Sequence, residues 1–327
     1  MNIVLCYPLQ SHHVAQITRA VAEATDDPWQ VLDAGQERIA EAILEADIFC
    51  GHAKVPVPWD EVVQLGRLRW IHSSAAGMDH CLVPSVIASN ITVTSSSGLF
   101  AKPVAEQTIA LLLGVLRQIP LFFRQQQQHQ FVRQPTWDLH GKTVGIVGMG
   151  GNGRRIVEVL APWNVRIVAT DMFPDLVQVP DCVEEIYHCD ELEQLLKASD
   201  IVIMAVPLNS YTHHMMGRQQ FAQMRPGSIF INVARGPVVD EQAMVEALRE
   251  GHLGGAGLDV TESEPLPNES PLWDMENVMI TPHVGAQSAN RLDVTTDFFC
   301  NNLRSFLTNG PLSNVVDKEL GFPIPGQ

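Results

Sequence analysis

Three chemically reactive side chains follow three successive apolar runs in the C-terminal half of the sequence. Arg235 comes just after the run that ends at Val233, and Glu264 and His283 come after the next two runs. A guanidinium grips a carboxylate through two parallel hydrogen bonds, and an imidazole exchanges protons near neutral pH. A carboxylate beside the imidazole favours its charged form. Each residue alone also suits a surface or capping role, but the ordered set indicates proton transfer on a carboxylate substrate.

A glycine-rich turn, Gly148-Met149-Gly150-Gly151-Asn152-Gly153, precedes these residues in the chain. The apolar run Thr143–Val147 predicts a buried strand before it, and the apolar spacing over 154–160 predicts a helix after it. Asp171 ends the next apolar stretch, 18 residues beyond Gly153. This order is the dinucleotide-binding fingerprint, in which the helix N-terminus faces the phosphates and the acid accepts hydrogen bonds from the adenosine ribose.

The elements that must position these residues alternate regularly along the chain. In the first half the predicted strands are Ile3–Cys6, Gln30–Leu32, Ile48–Cys50, Trp70–His72 and Ile91–Thr94. From residue 143 they are Val144–Val147, Val165–Ala169, Ile201–Val206, Ile229–Val233, Gly257–Val260 and Val278–Ile280. Helical patterns lie between them, with long helices over 103–117 and 289–307 and a polar surface excursion within 124–141. Such alternation predicts two parallel sheets with crossover helices, an α/β fold.

The charge and the cysteine content of the sequence indicate which classes of partner the protein is expected to bind and where it is expected to be located. The 21 basic and 37 acidic residues give a formal charge of −16, which argues against nucleic acid and against an anionic membrane. The six cysteines form no CxxC pair, so reduced thiols and a cytoplasmic location are expected. No run approaches the length of a membrane span. His12 and His13 are expected to be surface residues, and no metal site is expected.

The motifs together resemble the D-isomer-specific 2-hydroxyacid dehydrogenases, a family of NAD(P)-linked enzymes. The stretches that carry the resemblance are Asp138–Gly153, Asn232–Glu241, Ala256–Pro267, Ser270–Trp273 and Thr281–Gly285, together with Ser74–Asp79 and Val104–Glu106. The resemblance implies two Rossmann-like or flavodoxin-like domains with the active site in the cleft between them. It assigns residues 1–98 and 287–327 to a substrate-binding domain and 99–286 to an NAD-binding domain.

The resemblance also implies residue roles for a hydride transfer between nicotinamide and C2 of a D-2-hydroxy or 2-oxo acid. Arg235 would bind the substrate carboxylate and carbonyl oxygen, His283 would be the general acid/base, and Glu264 would orient and charge it. Asp259 would hydrogen-bond the nicotinamide carboxamide. The implied cofactor-binding residues are Gly148, Gly150, Gly151, Asn152, Gly153, Asp171, Val206, Pro207, Thr212, Ala234, Arg235, Asp259, His283 and Gly285. The implied substrate-binding residues are Ala76, Gly77, Met78, Arg235 and His283.

Asp171 predicts NAD in preference to NADP, because its carboxylate would repel a 2′-phosphate and the next residues, Met172 and Phe173, offer no cation. Two departures from the family pattern stand out. Asn152 replaces an aliphatic residue, and the loop at 51–54, with His52 and Lys54, does not match; both side chains are expected to be solvated. A homodimer built on the helix over 103–117 is expected from the family.

Several alternatives stay open at this point. Within the family, a 3-phosphoglycerate or a glyoxylate/hydroxypyruvate dehydrogenase fits; phosphoglycerate would require basic residues, for which Lys54, Arg67 and Arg69 are candidates. A formate dehydrogenase fits less well, since that branch carries Gln at the position of Glu264. A different class is an NAD(H)-sensing interaction protein similar to the C-terminal binding protein corepressors, with which the Arg235, Glu264 and His283 set is also compatible.

Overall fold

The structure, a computed structural model, describes residues 1–326. The chain divides into two compact units. The first contains residues 1–99 and 288–325, and the second contains residues 100–287. Each division lies one residue beyond the corresponding predicted boundary.

The first unit is built on a five-stranded parallel sheet. Its strands are β1 (Asn2–Cys6), β2 (Gln30–Asp33), β3 (Ile48–Gly51), β4 (Trp70–Ser73) and β5 (Thr92–Thr94), and its first helices are α1 (Ser11–Ala24), α2 (Gly35–Ala42), α3 (Trp59–Leu65) and α4 (Pro84–Ala88). The strand order β2-β1-β3-β4-β5 is the flavodoxin-like order. Each strand agrees with its predicted range to within one residue. The strands β1, β3 and β4 are almost completely buried because both faces of the sheet are covered.

The second unit carries a seven-stranded parallel sheet. Its strands are β6 (Thr143–Val147), β7 (Arg166–Asp171), β8 (Val183–His188), β9 (Ile201–Met204), β10 (Ser228–Asn232), β11 (Leu253–Leu258) and β12 (Val278–Ile280). Its helices are α5 (Ala101–Leu116), α6 (Ile119–Gln127), α7 (Gly151–Leu160), α8 (Leu192–Ala198), α9 (Arg218–Gln223) and α10 (Glu241–Arg249). The order β12-β11-β10-β9-β6-β7-β8 reverses direction between β6 and β9, which is where doubly wound sheets bind dinucleotides.

The helix α5 packs closely on the glycine-rich strand β11. A Cβ atom added at Gly257 would lie 3.0 Å from the Cβ atom of Leu111 and 2.8 Å from Cδ1 of Ile231. Only a residue without a side chain leaves room for the helix at this separation. The glycines of β11 therefore allow α5 to pack on the edge of the sheet that β11 and β12 form. The loop after β12 begins at this edge.

The last helix, α11 (Arg291–Leu307), belongs to the first unit. It is joined to α1 by side-chain contacts along its length, including Gln16 to Asp297 at 2.6 Å and Arg304 to Glu23 at 2.9 Å. Within residues 1–326 no single helix has the length and apolarity to cross a membrane. The nearest candidate is the pair α5 and α6, whose axes bend by 68° at their junction.

Candidate active site

An imidazole and a carboxylate from two loops of the second unit form a direct pair. His283 lies in the loop after β12, and Glu264 lies in the loop after β11. Nδ1 of His283 lies 2.8 Å from Oε2 of Glu264. Because an ionised carboxylate only accepts hydrogen bonds, Nδ1 carries the hydrogen and donates it. The ring therefore presents Nε2 as the atom that can exchange a proton, and the side chain is 42% exposed.

The electrostatics of Glu264 favour its ionised form. Partial burial raises the pKa of its carboxyl, but the hydrogen bond and charge of His283, the amide of Thr261 and the charge of Arg235 together hold that pKa below its ordinary value. The Thr261 amide lies 3.4 Å from Oε1. The carboxylate thus stays charged at neutral pH and stabilises a proton on the neighbouring imidazole.

Arg235 follows β10, and close backbone packing brings it to the loop that carries Glu264. A Cβ atom at the next residue, Gly236, would lie 1.8 Å from the carbonyl oxygen of Thr261, so only glycine permits this approach. The buried Asn232 shapes the turn before Arg235, accepting a hydrogen bond from the Ala234 amide and donating one to the Arg235 carbonyl. The guanidinium itself donates to the Ala234 carbonyl at 2.8 Å.

Asp259 is buried, with 3% exposure, and both of its carboxylate oxygens bind the loop that carries His283. Oδ1 accepts from the Val284 amide at 2.9 Å and from the Thr281 hydroxyl at 2.7 Å, and Oδ2 accepts from the Gly285 amide at 2.7 Å. The His283 amide donates to the Asp259 carbonyl at 2.8 Å. The carboxylate is therefore engaged in holding the loop, a role that the sequence did not reveal.

The glycine turn has the geometry that a pyrophosphate requires. Gly148 has a φ of 98°, and a Cβ atom at Gly153 would lie 1.9 Å from the Gly148 carbonyl oxygen, so both positions need glycine. The Arg154 amide donates to the Gly150 carbonyl, and the amides of residues 151–153 precede this first turn of α7. The turn fits the phosphates of a dinucleotide by its backbone alone.

Asp171 ends β7 beside this turn. Its Oδ2 atom accepts from the Met149 amide at 2.8 Å, and its Oδ1 atom accepts from the Phe173 amide at 2.9 Å. Each oxygen keeps a second lone pair for a further donor. The carboxylate is thus fixed next to the turn, as a contact with a ribose requires.

The predicted adenine-side residues follow β9, which ends at Met204 rather than at Val206 as predicted. Val206 lies against the glycine turn, since a Cβ atom at Gly148 would be 3.0 Å from its Cγ1 atom. The Thr212 hydroxyl donates to the Pro207 carbonyl at 2.7 Å and closes the turn. Thr212 is buried, so its side chain stabilises this turn.

The remaining predicted substrate residues belong to the first unit. Ala76, Gly77 and Met78 follow β4 at the carboxyl edge of its sheet, with Met78 buried and the other two half-buried. His52 follows β3, and its half-buried ring stacks on His80 with the centroids 4.1 Å apart.

His13 is not the surface residue that was predicted, because it is only 1% exposed. Asp293 of α11 lies 2.9 Å from its Nε2 atom and 3.4 Å from Nε2 of His12, a third potential ligand that sequence spacing missed. The Gln10 amide, however, donates to Nδ1 of His13 at 3.1 Å. Nε2 therefore carries the hydrogen, and this group acts as a link between α1 and α11.

The chain is similar to a known family of enzymes. The model of the D-isomer specific 2-hydroxyacid dehydrogenase, NAD binding domain, matches residues 109–285. A glyoxylate reductase of Korarchaeum cryptofilum is 30% identical over 295 residues, covering 86% of each chain. A D-3-phosphoglycerate dehydrogenase of Methanocaldococcus jannaschii is 31% identical over 86% of this chain and 54% of its own length.

A solved structure shows the same fold along nearly the whole chain. It is the NADPH-dependent glyoxylate/hydroxypyruvate reductase of Sinorhizobium meliloti in complex with NADP and sulfate. Its TM-score is 0.78 at 26% identity, and the match covers 98% of this chain and 99% of the other. The likeness extends through both units.

Proposed function

The chain belongs to the D-isomer specific 2-hydroxyacid dehydrogenase family of oxidoreductases, and we propose that it reduces a small 2-oxo acid to its D-2-hydroxy acid. The observation that carries the proposal is the pair of His283 and Glu264 at 2.8 Å, with the positive charge of Arg235 acting on the same carboxylate. This set supplies a proton donor and a cation for one carbonyl group.

The residues of the second unit hold the coenzyme in this proposal. The amides of the glycine turn bind the pyrophosphate, and Asp171 binds the adenosine ribose. When bound, the nicotinamide supplies the hydride that reduces the carbonyl carbon. Arg235 binds the carboxylate of the acid.

The protein residues then perform the proton chemistry of the reduction. The protonated His283 donates the Nε2 proton to the carbonyl oxygen as the carbon accepts the hydride, so a carbonyl becomes an alcohol. Arg235 stabilises the negative charge that grows on this oxygen. Glu264 stabilises the imidazolium before transfer and fixes its orientation through Nδ1.

We further propose that NADH is preferred to NADPH. The Asp171 carboxylate is held beside the glycine turn by the Met149 and Phe173 amides. A 2′-phosphate about 4 Å from it would meet a repulsion of roughly 1 to 4 kcal/mol per unit charge. The structural relative from Sinorhizobium meliloti is NADPH-dependent. The test therefore compares NADH with NADPH directly.

We propose unphosphorylated acids such as glyoxylate and hydroxypyruvate as the substrates in preference to phosphoglycerate. Two of the three basic candidates for a phosphate have partners within the first unit. The Arg67 guanidinium lies 3.0 Å from Glu45 and 3.4 Å from Asp47, and the Arg69 guanidinium lies over the ring of Trp29, 5.6 Å from its centroid. The third candidate, Lys54, is exposed, and binding of a phosphate by it is the competing outcome of the substrate panel.

We propose a homodimer that covers an apolar surface on the second unit. This surface comprises Ile119 and Phe123 of α6 with Phe131, Val132 and Trp137 of the segment after it, all more than 40% exposed. Several large apolar side chains exposed within one short segment are typical of an interaction site. The occupant is a second copy of the chain, as the family suggests. We place the enzyme in the cytoplasm, since its six cysteines are free thiols.

The experiment that tests the proposed function is a panel of 2-oxo acids assayed with NADH and with NADPH. We expect turnover of glyoxylate or hydroxypyruvate, faster with NADH, and none of 3-phosphohydroxypyruvate. Coenzyme binding without turnover of any acid would instead support the NAD(H)-sensing interaction protein and contradict the proposed enzyme.

A further inference from the structure

The loop that carries His283 is connected to helix α5 through three side chains that lie one behind the other. Nε2 of Gln107 donates to the Thr281 hydroxyl at 2.9 Å, and this hydroxyl donates to Oδ1 of Asp259 at 2.7 Å. The same carboxylate accepts the amides of Val284 and Gly285, the two residues after His283. Helix, strand end and loop are thus joined by one continuous hydrogen-bonded chain.

The direction of each hydrogen bond in this chain is determined by chemistry. The Gln107 amide nitrogen and the loop amides can only donate, and the Asp259 carboxylate can only accept when ionised. The Thr281 hydroxyl therefore accepts from Gln107 and donates to Asp259, and it links the two side chains. A valine at this position keeps the shape but removes both bonds.

The loop benefits from such support because its backbone conformation is uncommon. His283 has a φ of 52°, in the left-handed region that few residues other than glycine adopt, although Asn, Asp and His adopt it more often than the rest. Its amide is held by the carbonyls of Asp259 and Thr281, at 2.8 and 3.0 Å. A Cβ atom at Gly285 would lie 2.8 Å from Oδ2 of Asp259, so the loop also closes directly around the carboxylate.

We propose that Thr281 and Gln107 are positioning residues that, through Asp259, hold His283 in register with Glu264. This inference rests on the proposed function for its catalytic consequence, but its structural part is independent of any substrate. Asp259 in this arrangement transmits the position of α5 to the loop. Gln107 thereby connects this helix, through Thr281 and Asp259, to the loop that carries the imidazole.

The test compares Thr281→Val, Thr281→Ser and Gln107→Leu in the full chain. Hydrogen–deuterium exchange of the amides in 283–285 reports the loop without any substrate. We expect exchange about three to ten times faster in Thr281→Val, a smaller increase in Gln107→Leu, and exchange close to wild type in Thr281→Ser, which keeps the hydroxyl.

Kinetics supply the second readout. Because a misplaced catalytic group slows reaction by up to about a hundredfold, we expect kcat of Thr281→Val to fall about tenfold or more, with KM for the acid little changed. Thr281→Ser should restore kcat, because it keeps the hydroxyl.

The matched control is Thr108→Val, one residue from Gln107 on the same helix. Its buried hydroxyl donates only to the Val104 carbonyl of α5, at 2.7 Å, so its loss should leave the exchange of 283–285 unchanged. Three results would each overturn the inference. The first is an equal effect of Thr108→Val and Thr281→Val on amide exchange, and the second is an equal loss of kcat in Thr281→Ser and Thr281→Val. The third is wild-type amide exchange in Thr281→Val. A wild-type enzyme inactive on every acid contradicts only the proposed function, because the exchange rates still report the loop.

Discussion

At the scale of single residues, the chemistry depends on which atom of His283 is free. Glu264 occupies Nδ1 at 2.8 Å, so the reactive position is Nε2. The sequence predicted these two residues because both follow strand ends, but it could not show the tautomer, which depends on a contact between two loops. Gln107 and Thr281 escaped prediction because they are 174 residues apart and neither is a typical catalytic type.

A Glu264→Gln variant separates orientation from charge. Glutamine can still accept the hydrogen of Nδ1 but no longer stabilises the imidazolium. We therefore expect kcat for reduction to fall, because the imidazolium that donates the proton loses its neighbouring negative charge. The control is Glu262→Gln, a carboxylate two residues away that binds His214 and the Glu241 amide. A kcat of Glu264→Gln equal to that of wild type would contradict the role of the charge.

A second titrating residue affects stability rather than catalysis. His72 of β4 is completely buried, and burial lowers its pKa from 6.5 to about 3. Below pH 6.5 the unfolded chain therefore binds a proton that the native chain does not, and the free energy of unfolding decreases as the pH falls.

We expect the decrease in the free energy of unfolding at low pH to be smaller in His72→Asn. In the wild type the Thr94 hydroxyl lies 2.8 Å from Nδ1 of His72, and the asparagine oxygen can still accept its hydrogen bond. In the wild type, the free energy of unfolding decreases because of His72 by up to roughly 1.4 kcal/mol for each pH unit below 6.5. Urea unfolding at several pH values between 7.5 and 4 gives the two slopes. Parallel slopes would show that His72 does not titrate on unfolding.

At the scale of elements, apolar runs located most strands because parallel strands are buried on both faces. The exception is β8, which was not predicted. It is an edge strand whose exposed Glu184 and Glu185 pair with Arg166 of β7, so its sequence lacks a continuous apolar run. The start of β11 was also missed, since Gly254 and Gly255 interrupt the apolar run, although their lack of side chains allows close packing.

The strand–turn–helix unit of the coenzyme site provides the element-scale prediction. In Gly153→Ala the new methyl group would meet the Gly148 carbonyl oxygen at 1.9 Å, and α7 would move away from β6. We expect a loss of stability of about 1 to 3 kcal/mol and weaker NADH binding, measured by thermal unfolding and by fluorescence titration. Gly150→Ala has no heavy atom within 4 Å of the new Cβ atom and should keep the wild-type melting temperature. Equal melting temperatures for the two variants would refute the steric argument.

At the scale of the whole molecule, the two sheets have different strand orders, and the sequence did not distinguish them. Both sheets come from the same alternation of strands and helices along the sequence. Their strand orders differ because the order depends on the side of the first strand at which each crossover connection places the next strand. The match to the Korarchaeum cryptofilum relative and the likeness to a solved structure extend over both units, whereas the family model matches within the second unit. Assembly was predicted only from the family.

The exposed apolar surface makes the dimer testable. Phe123 is 57% exposed and Phe131 is 98% exposed, so the double variant Phe123→Glu, Phe131→Glu should fold normally yet place charges in the interface. We expect sedimentation to show a dimer for wild type and a monomer for the variant. The control is Tyr211→Glu, which alters an aromatic side chain that is 67% exposed elsewhere on the second unit. A monomeric wild-type protein would contradict the proposed assembly.

The most direct test of the central claim is the turnover of His283→Ala with NADH and the best 2-oxo acid of the panel. We predict that kcat falls by about a hundred- to ten-thousand-fold while NADH still binds, because the coenzyme is held by the glycine turn and Asp171. Turnover close to that of wild type would show that the proton comes from another group, and the assignment of His283 would be wrong.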